Sequence, residues 1–350
     1  MFINHNKDNH VMKASDITVG VIGYGGAFNM GKQHLELAAK AGMTPCAVAE
    51  LDHTRLDVAK QDFPGIETYA SVSAMLKNSS AKLIIIITPH NSHAPLALQC
   101  LKAGRHVVCE KPLAITTAEC DAMIAAARQH KVVLSTYHNR HWDGCIIEAV
   151  RQIKAGVIGE IVRIEARMGG YGKPRDWWRT SKKISGGILY DWGVHLLEYS
   201  LQLIDASMTE VTGFATNGVW APHTPWKNDT NEDEATAVVR FSNGAYITLR
   251  ISHLEMNGKP GMVEITGTKG TYIMDHGSYE TVVHKAGKTI RTRGGNPPGE
   301  YEQYYQNIAD HIVKKTPLVI TPEWSRRPIH ILDLACQSAK KGITLKAKYA

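Results

Sequence analysis

Over residues 15–137, short runs of branched apolar residues alternate with longer stretches whose apolar positions recur at helical spacing. The runs at 17–22, 45–49, 83–88, 107–109 and 132–136 predict strands. The stretches 30–41, 54–62, 71–77, 94–103 and 117–130 predict helices, and Gly42 and Gly104 stop two of them. Strands and helices in rotation imply a parallel, right-handed, doubly wound sheet. Past Tyr137 the pattern changes. A helix is predicted over 143–155, a half-buried strand over 160–168 and a long helix near 187–204. Strands follow at 210–216, 235–241, 245–252 and 261–267, with Asn243-Gly244 as a hairpin turn and Thr268-Lys269-Gly270 as another. Two helices, near 300–314 and 322–341, close the chain. Loops at 169–187, 219–232 and 294–299 are expected around a pocket.

Composition narrows the function classes. The chain has 350 residues, 43% hydrophobic and 21% charged, enough for two domains with real cores. The net charge of +7 is scattered, and the densest basic groups, Lys182-Lys183, Lys314-Lys315 and Arg326-Arg327, are only pairs, so neither nucleic acid nor membrane is an expected partner. The longest apolar run, 83–87, is too short to span a bilayer. Residues 1–14 lack the apolar core of an export signal; they are expected to be a flexible tail, with a cytoplasmic protein behind it. Six cysteines include no C-x-x-C pair, and Cys46 and Cys109 read as small core residues. His90 and His93, or His138 and His141, have the spacing of ligand pairs, but nothing completes a metal motif, and no metal is expected.

Gly23-Tyr24-Gly25-Gly26-Ala27-Phe28 follows the first strand and precedes a helix. Residues without a Cβ let the backbone approach a pyrophosphate, and a helix N-terminus stabilises its charge. Two glycines of G-x-G-x-x-G stand at 23 and 25, while Phe28 occupies the third place in a turn about three residues longer than usual. Glu50 ends the second strand, where a carboxylate binds a ribose 2′-hydroxyl and repels a 2′-phosphate; NAD is therefore expected before NADP, with His53 and Arg55 close enough to temper that preference. Thr88, Pro89 and His93 lie at the end of the central strand, beside the same crevice.

Glu110-Lys111-Pro112 sits at the carboxyl end of the fourth predicted helix-flanked strand, where open α/β sheets bind ligands. By itself Lys111 reads equally as a catalyst or as a salt-bridged lysine. Gly186-Gly187 leads into a helix that places Asp191 and His195 at i and i+4, where a carboxylate can orient an imidazole and raise its proton affinity.

Together, the glycine turn at 23–26, Thr88-Pro89 through His93, Glu110-Lys111-Pro112, Gly186-Gly187 through Asp191 and His195, and the turn at 267–270 resemble the Gfo/Idh/MocA family, the glucose–fructose oxidoreductase and inositol dehydrogenase group. The resemblance implies an α/β architecture: a Rossmann domain over 15–137, then a C-terminal α+β domain over 138–350. It also implies that the second domain's large, open, mostly antiparallel sheet builds homodimers or homotetramers. It implies an NAD-dependent enzyme acting on a sugar, cyclitol or related polyol. Gly23, Gly25, Gly26, Ala27, Phe28, Glu50, Thr88, Pro89, His93, Glu110 and Lys111 would hold the cofactor. Lys111, Asp191 and His195 would form the catalytic set and, with Arg140, meet the substrate. His195 would exchange the hydroxyl proton and Lys111 would polarise the oxygen. Arg140 is read either as a ligand of substrate oxygens or as a brace, and Trp177-Trp178-Arg179 either as a sugar platform or as an interface. The family often has Asp where this chain has Glu198. Two other functions share these residues: a redox-neutral glycosidase that oxidises, eliminates, hydrates and re-reduces, and an NAD-binding sensor.

Overall fold

The computed structural model describes residues 12–349. Residues 1–11, most of the expected tail, lie outside the described residues; Ala14 opens a short 3-10 turn. The elements run β1 (Thr18–Ile22), α1 (Met30–Lys40), β2 (Thr44–Ala49), α2 (His53–Asp62), β3 (Glu67–Tyr69), α3 (Val72–Asn78), β4 (Leu83–Ile86), α4 (His93–Lys102), β5 (His106–Cys109), α5 (Thr117–His130) and β6 (Leu134–Thr136). The six strands form a parallel sheet in the order β3-β2-β1-β4-β5-β6. The order reverses between β1 and β4, the switch point at which this topology binds ligands.

Several helices start where the sequence supplies caps. Asp52 accepts from the Thr54 amide at the head of α2. Thr116 and Glu119 cap each other's backbone at the head of α5, a capping box that satisfies two orphan donors. Every side chain of β4 is fully buried, which is why its sequence, Leu-Ile-Ile-Ile, shows no polar alternation.

The rest of the chain holds α6 (Gly144–Lys154), β7 (Ile161–Gly169), α7 (Lys182–Ser185), α8 (Leu189–Leu201), β8 (Met208–Thr216), β9 (Glu234–Phe241), β10 (Tyr246–Ser252), β11 (Val263–Gly267), β12 (Gly270–Met274), β13 (Ser278–Lys285), β14 (Lys288–Gly295), α9 (Gln303–Lys314), α10 (Pro322–Lys341) and β15 (Leu345–Lys346). A nine-stranded sheet runs β14-β13-β12-β11-β7-β10-β9-β8-β15. Its pairings are antiparallel except β7 with β10. Helix α8 lies against β7 and β10, and α10 against β8 and β9. The approach is close: a Cβ on Gly193 would stand 2.9 Å from Leu249, and one on Gly213 would stand 1.9 Å from the Ala335 carbonyl.

By its contacts the chain forms two compact units. One takes the residues up to Ile85 with Tyr304–Val319; the other takes Ile86–Gln303 with the residues from Ile320 on. In the first, α9 meets α1 through a hydrogen bond between His34 Nδ1 and the Tyr305 hydroxyl at 2.5 Å. In the second, α8 is buried on nearly every side, so its polar residues stand out. Among the described residues no helix is long and apolar enough to cross a membrane.

Candidate active site

The glycine turn lies within the first unit. Gly23 takes φ 95°, a value only glycine adopts without strain. A Cβ on Gly25 would meet no described atom within 4 Å, so that face is open for a ligand's backbone approach. Residue Phe28, in the place of the third glycine, is about half exposed at 49%. The third glycine's task has moved to Gly31, where a Cβ would stand 2.6 Å from the Tyr24 ring and 3.1 Å from the Gly23 carbonyl. The longer turn shifts by three places the position that needs close helix–strand packing. Asn29 enters α1 with φ 49° and makes no side-chain cap bond, leaving the first-turn amides to an anion. Glu50 accepts from the Tyr24 amide at 2.6 Å, the Leu51 amide at 2.6 Å and the Asp52 amide at 3.2 Å. These bonds fix the carboxylate at the end of β2 and leave acceptor capacity on Oε2. Arg55 donates to the Tyr24 carbonyl at 2.7 Å and runs beside Gly26. The cradle fits a dinucleotide.

The second unit holds the lysine. The Lys111–Pro112 peptide is cis. Lys111 Nζ donates to Asp191 Oδ1 at 2.6 Å and to the Asp191 carbonyl at 3.0 Å, and its side chain is only 13% exposed. Arg179 Nε stands 3.6 Å from the same Oδ1, its guanidinium stacked on both Trp177 and Trp178 at 4.8 Å. Burial disfavours the Asp191 carboxylate, but the charges of Lys111 and Arg179 outweigh it and hold its pKa down to about 2. Asp191 is thus ionised at any physiological pH. Glu110 turns back on its own neighbour, accepting from the Lys111 amide at 2.9 Å.

His195 follows one turn later on α8 and is 6% exposed. The i, i+4 spacing predicts a carboxylate–imidazole pair, but the Asp191 carboxylate goes to Lys111 and Arg179, and His195 Nδ1 finds no hydrogen-bond partner among the described residues. Burial, then the charges of Lys111 and Arg140, push its pKa well below the usual histidine value. The proton affinity falls where the spacing alone predicts a rise, because burial penalises the imidazolium and the nearby cations add to that penalty. Trp192 packs edge-on to His195, ring centres 5.5 Å apart, and Arg140 lies over Trp192 at 4.8 Å. Arg140 also donates to Asp143 at 2.9 Å, and Asp143 accepts from the Tyr199 hydroxyl. Its observed contacts are those of a brace.

The remaining expected residues form a second layer. His93 is fully buried, with Nδ1 2.7 Å from the Pro112 carbonyl and Nε2 2.8 Å from the Thr88 carbonyl. Both ring nitrogens lie against main-chain carbonyls, which seats His93 between the Thr88-Pro89 turn and the Lys111-Pro112 turn. The Thr88 hydroxyl and the Pro89 carbonyl both accept from the Ser92 hydroxyl at 2.6 Å. His90 Nδ1 lies 2.8 Å from the Ser185 carbonyl, and its ring stands edge-on to Trp178. Glu198, 1% exposed, reaches His141 at 2.5 Å. Asp143, Cys145 and His276 bring ligand atoms within 4.8 Å of one another. Burial raises the Cys145 pKa to about 11, which keeps that thiol protonated. Of the two cysteines expected in the core, Cys109 is buried and Cys46 only half-buried.

Residues 17–138 match the family model described as an oxidoreductase family with an NAD-binding Rossmann fold, and residues 146–273 match the GFO/IDH/MocA C-terminal domain. The chain belongs to the GFO/IDH/MocA family. It is 24% identical to the scyllo-inositol 2-dehydrogenase (NADP(+)) IolW of Bacillus subtilis, over 96% of this chain and 98% of that one. It is 27% identical to the myo-inositol 2-dehydrogenase of Thermotoga maritima, over 76% of this chain and 77% of that one. Among solved structures, levoglucosan dehydrogenase in complex with NADH and levoglucosan shares the fold, with a TM-score of 0.80 and 21% identity over 95% of this chain and 99% of that one.

Within this GFO/IDH/MocA framework, two residues do more than their sequence context suggests. Arg179 stands beside the tryptophans in sequence, yet it shares Asp191 with Lys111. Glu232 ends a loop-like stretch, yet it is 4% exposed and meets the first turn of α8. An acidic residue in an otherwise loop-like stretch carries no periodic signal, and only the partner glycine at 187 hints at it.

Proposed function

We propose that this chain is an NAD-dependent dehydrogenase or reductase acting on a CH–OH or keto carbon of a sugar, cyclitol or related polyol. The observation that carries this reading is the Lys111 ammonium, held by two atoms of Asp191, with a neutral, buried His195 one turn further along the same helix. A fixed cation lowers the pKa of a bound hydroxyl and stabilises the alkoxide that forms as the carbon is oxidised. His195 takes the hydroxyl proton in oxidation and returns it in reduction. Asp191 holds Lys111 in one orientation through two acceptors. When bound, the nicotinamide cofactor supplies the hydride acceptor or donor. The turn at 23–28, the first-turn amides of α1 and Glu50 are the residues that would hold it. The two inositol dehydrogenases among the relatives support a cyclitol or sugar as substrate, and Glu50 supports NAD over NADP.

The apolar side chains of Val162 on β7, Phe214 on β8 and Ile290 on β14 are exposed, and assembly into a homodimer or homotetramer through the nine-stranded sheet is part of the proposal. Light scattering on the purified protein tests it. The activity is tested by following NADH and NADPH formation across inositols, hexoses and anhydrosugars. The reading fails if neither cofactor binds and no polyol is turned over, or if Lys111→Ala leaves turnover unchanged.

A further inference from the structure

Helix α8 carries both Asp191 and His195, yet its own N-terminus has no local side-chain cap: Ile188 stands at the cap position and makes no side-chain bond. A carboxylate from a distant segment takes that place. Glu232 Oε2 accepts from the Ile188 amide at 3.0 Å, and Oε1 accepts from Lys182 Nζ at 2.5 Å. An anion at a helix N-terminus satisfies an orphan donor and opposes the helix dipole. The same contact accounts for the second glycine of the Gly186-Gly187 pair. Gly187 has φ 132°, and a Cβ there would stand 2.9 Å from Glu232 Oε2.

The neighbours of Glu232 grip the same stretch. Asp229 accepts from the Ser181 hydroxyl at 2.5 Å and the Lys183 amide at 3.1 Å. Asn231 accepts from the Ser185 hydroxyl at 3.1 Å and donates to the Arg179 carbonyl at 2.6 Å. Residues 229–232 thus clamp the whole approach to α8.

We infer that Glu232 is a positioning residue for the Lys111–Asp191 pair, acting through the Gly187 turn and the first turn of α8. Lys111 bonds the Asp191 main-chain carbonyl as well as its carboxylate, so both acceptors move together with that first turn. A turn that drifts opens the pair at both points, and no side-chain rotation of Asp191 restores the carbonyl contact. Misplacement by about 1 Å at a reacting group costs on the order of a hundredfold in rate.

This inference rests on the proposed dehydrogenase activity for one of its readouts only. Glu232→Ala, Glu232→Asp and Glu232→Gln are compared with wild type in two assays. The first is steady-state oxidation of whichever inositol or hexose the wild type turns over, with kcat and KM separated. Glu232→Ala is expected to lower kcat by about 10- to 100-fold with cofactor KM unchanged. Glu232→Gln keeps an acceptor for the Ile188 amide and is expected to recover to within a few-fold of wild type. The second readout needs no substrate: the Asp191 carboxyl is titrated by carbon NMR with carboxyl-labelled aspartate, assigned through Asp191→Asn. Its titration midpoint, near 2 in wild type, is expected to rise toward 3.8 in Glu232→Ala and to stay low in Glu232→Gln. If Glu232→Ala does not fold, Glu232→Asp, with its carboxylate one methylene short of Ile188, carries the comparison in the same direction. The inference is overturned if the shortened variants lose thermal stability while kcat and the Asp191 titration stay as in wild type. A wild type that oxidises no polyol sinks the functional reading and leaves the titration to decide this one.

Discussion

Gly31→Ala and Gly25→Ala should fail in opposite ways, because the two glycines of the nucleotide turn are there for different reasons. At Gly31 the added carbon would stand 2.6 Å from Tyr24 Cδ2 and 3.1 Å from the Gly23 carbonyl, so helix and strand must separate by close to 1 Å to reach ordinary contact. Tyr24 cannot swing aside. It is 1% exposed, with its amide on Glu50 at 2.6 Å and its hydroxyl on Asp62 at 2.9 Å. Overpacking of this kind costs about 1–3 kcal/mol. A 2.6 Å approach to an immobile ring puts the cost in the upper part of that range, about 2–3 kcal/mol. Alanine's better helix propensity returns up to about 1 kcal/mol. The net expectation is therefore about 1–2 kcal/mol, seen by scanning calorimetry of the ligand-free protein as a Tm lower by roughly 2–5 °C. Gly25→Ala meets no described atom within 4 Å and should leave that Tm within a degree or so. Its Cβ would occupy the face open to the pyrophosphate, and NADH affinity by fluorescence titration should fall about tenfold or more. Equal Tm losses in the two variants, or a Gly31→Ala protein as stable as wild type, would refute the assignment of Gly31 as the displaced packing glycine.

Lys111→Met should lower kcat by about 10²–10³ without abolishing cofactor binding, as loss of a single oxyanion-stabilising donor does; a variant retaining more than a tenth of wild-type kcat removes Lys111 from the chemistry. The pH–rate profile follows from His195. A base works only when unprotonated, and its pKa lies well below the ordinary 6.5. Oxidation measured by kcat/KM should therefore hold level as pH falls through 6.5 and decline only well beneath it, whereas an acid limb at 6.5 or higher argues against a buried His195 as the base. Gly213→Ala places a carbon 1.9 Å from a main-chain carbonyl of α10, and it should cost on the order of 3 kcal/mol, read as a fall in the urea midpoint of the apoprotein. Stability within 1 kcal/mol of wild type would mean that α10 does not pack on β8 this closely.

The alternating half of the fold was legible because its central strands β1, β4 and β5 are short, mainly apolar runs set between stretches with apolar positions at helical spacing, so period and length identify them without help. Thr116, Asp52 and Gly42 mark helix ends in the sequence itself. What escaped was β3, a three-residue edge strand with no buried side chain, and β12 to β14, which bury few residues and whose last strand is almost wholly exposed. Edge strands that bury little leave little pattern. The chemistry-bearing residues were legible as motifs, but their pairing was not. Helical spacing shows which residues share a face, and says nothing of what arrives opposite that face from eighty residues away.

That limit decides how the site is read. On α8 alone, Asp191 and His195 form a carboxylate–imidazole pair, and the histidine would be the group kept charged. In the folded protein Asp191 faces two cations, Lys111 and Arg179, and its charge is spent on them. One carboxylate between two cations leaves an excess of positive charge beside His195, in a place where burial already disfavours a second imidazolium. The same field that keeps the histidine unprotonated favours an alkoxide over a neutral hydroxyl. Base and electrophile are therefore not two independent devices. Removing either cation should raise the proton affinity of His195 and weaken the oxyanion's stabilisation together, so Arg179→Gln ought to lower kcat and move the acid limb of the pH profile upward in one step. A variant that did only the first would separate the two effects and show that Arg179 serves the substrate alone.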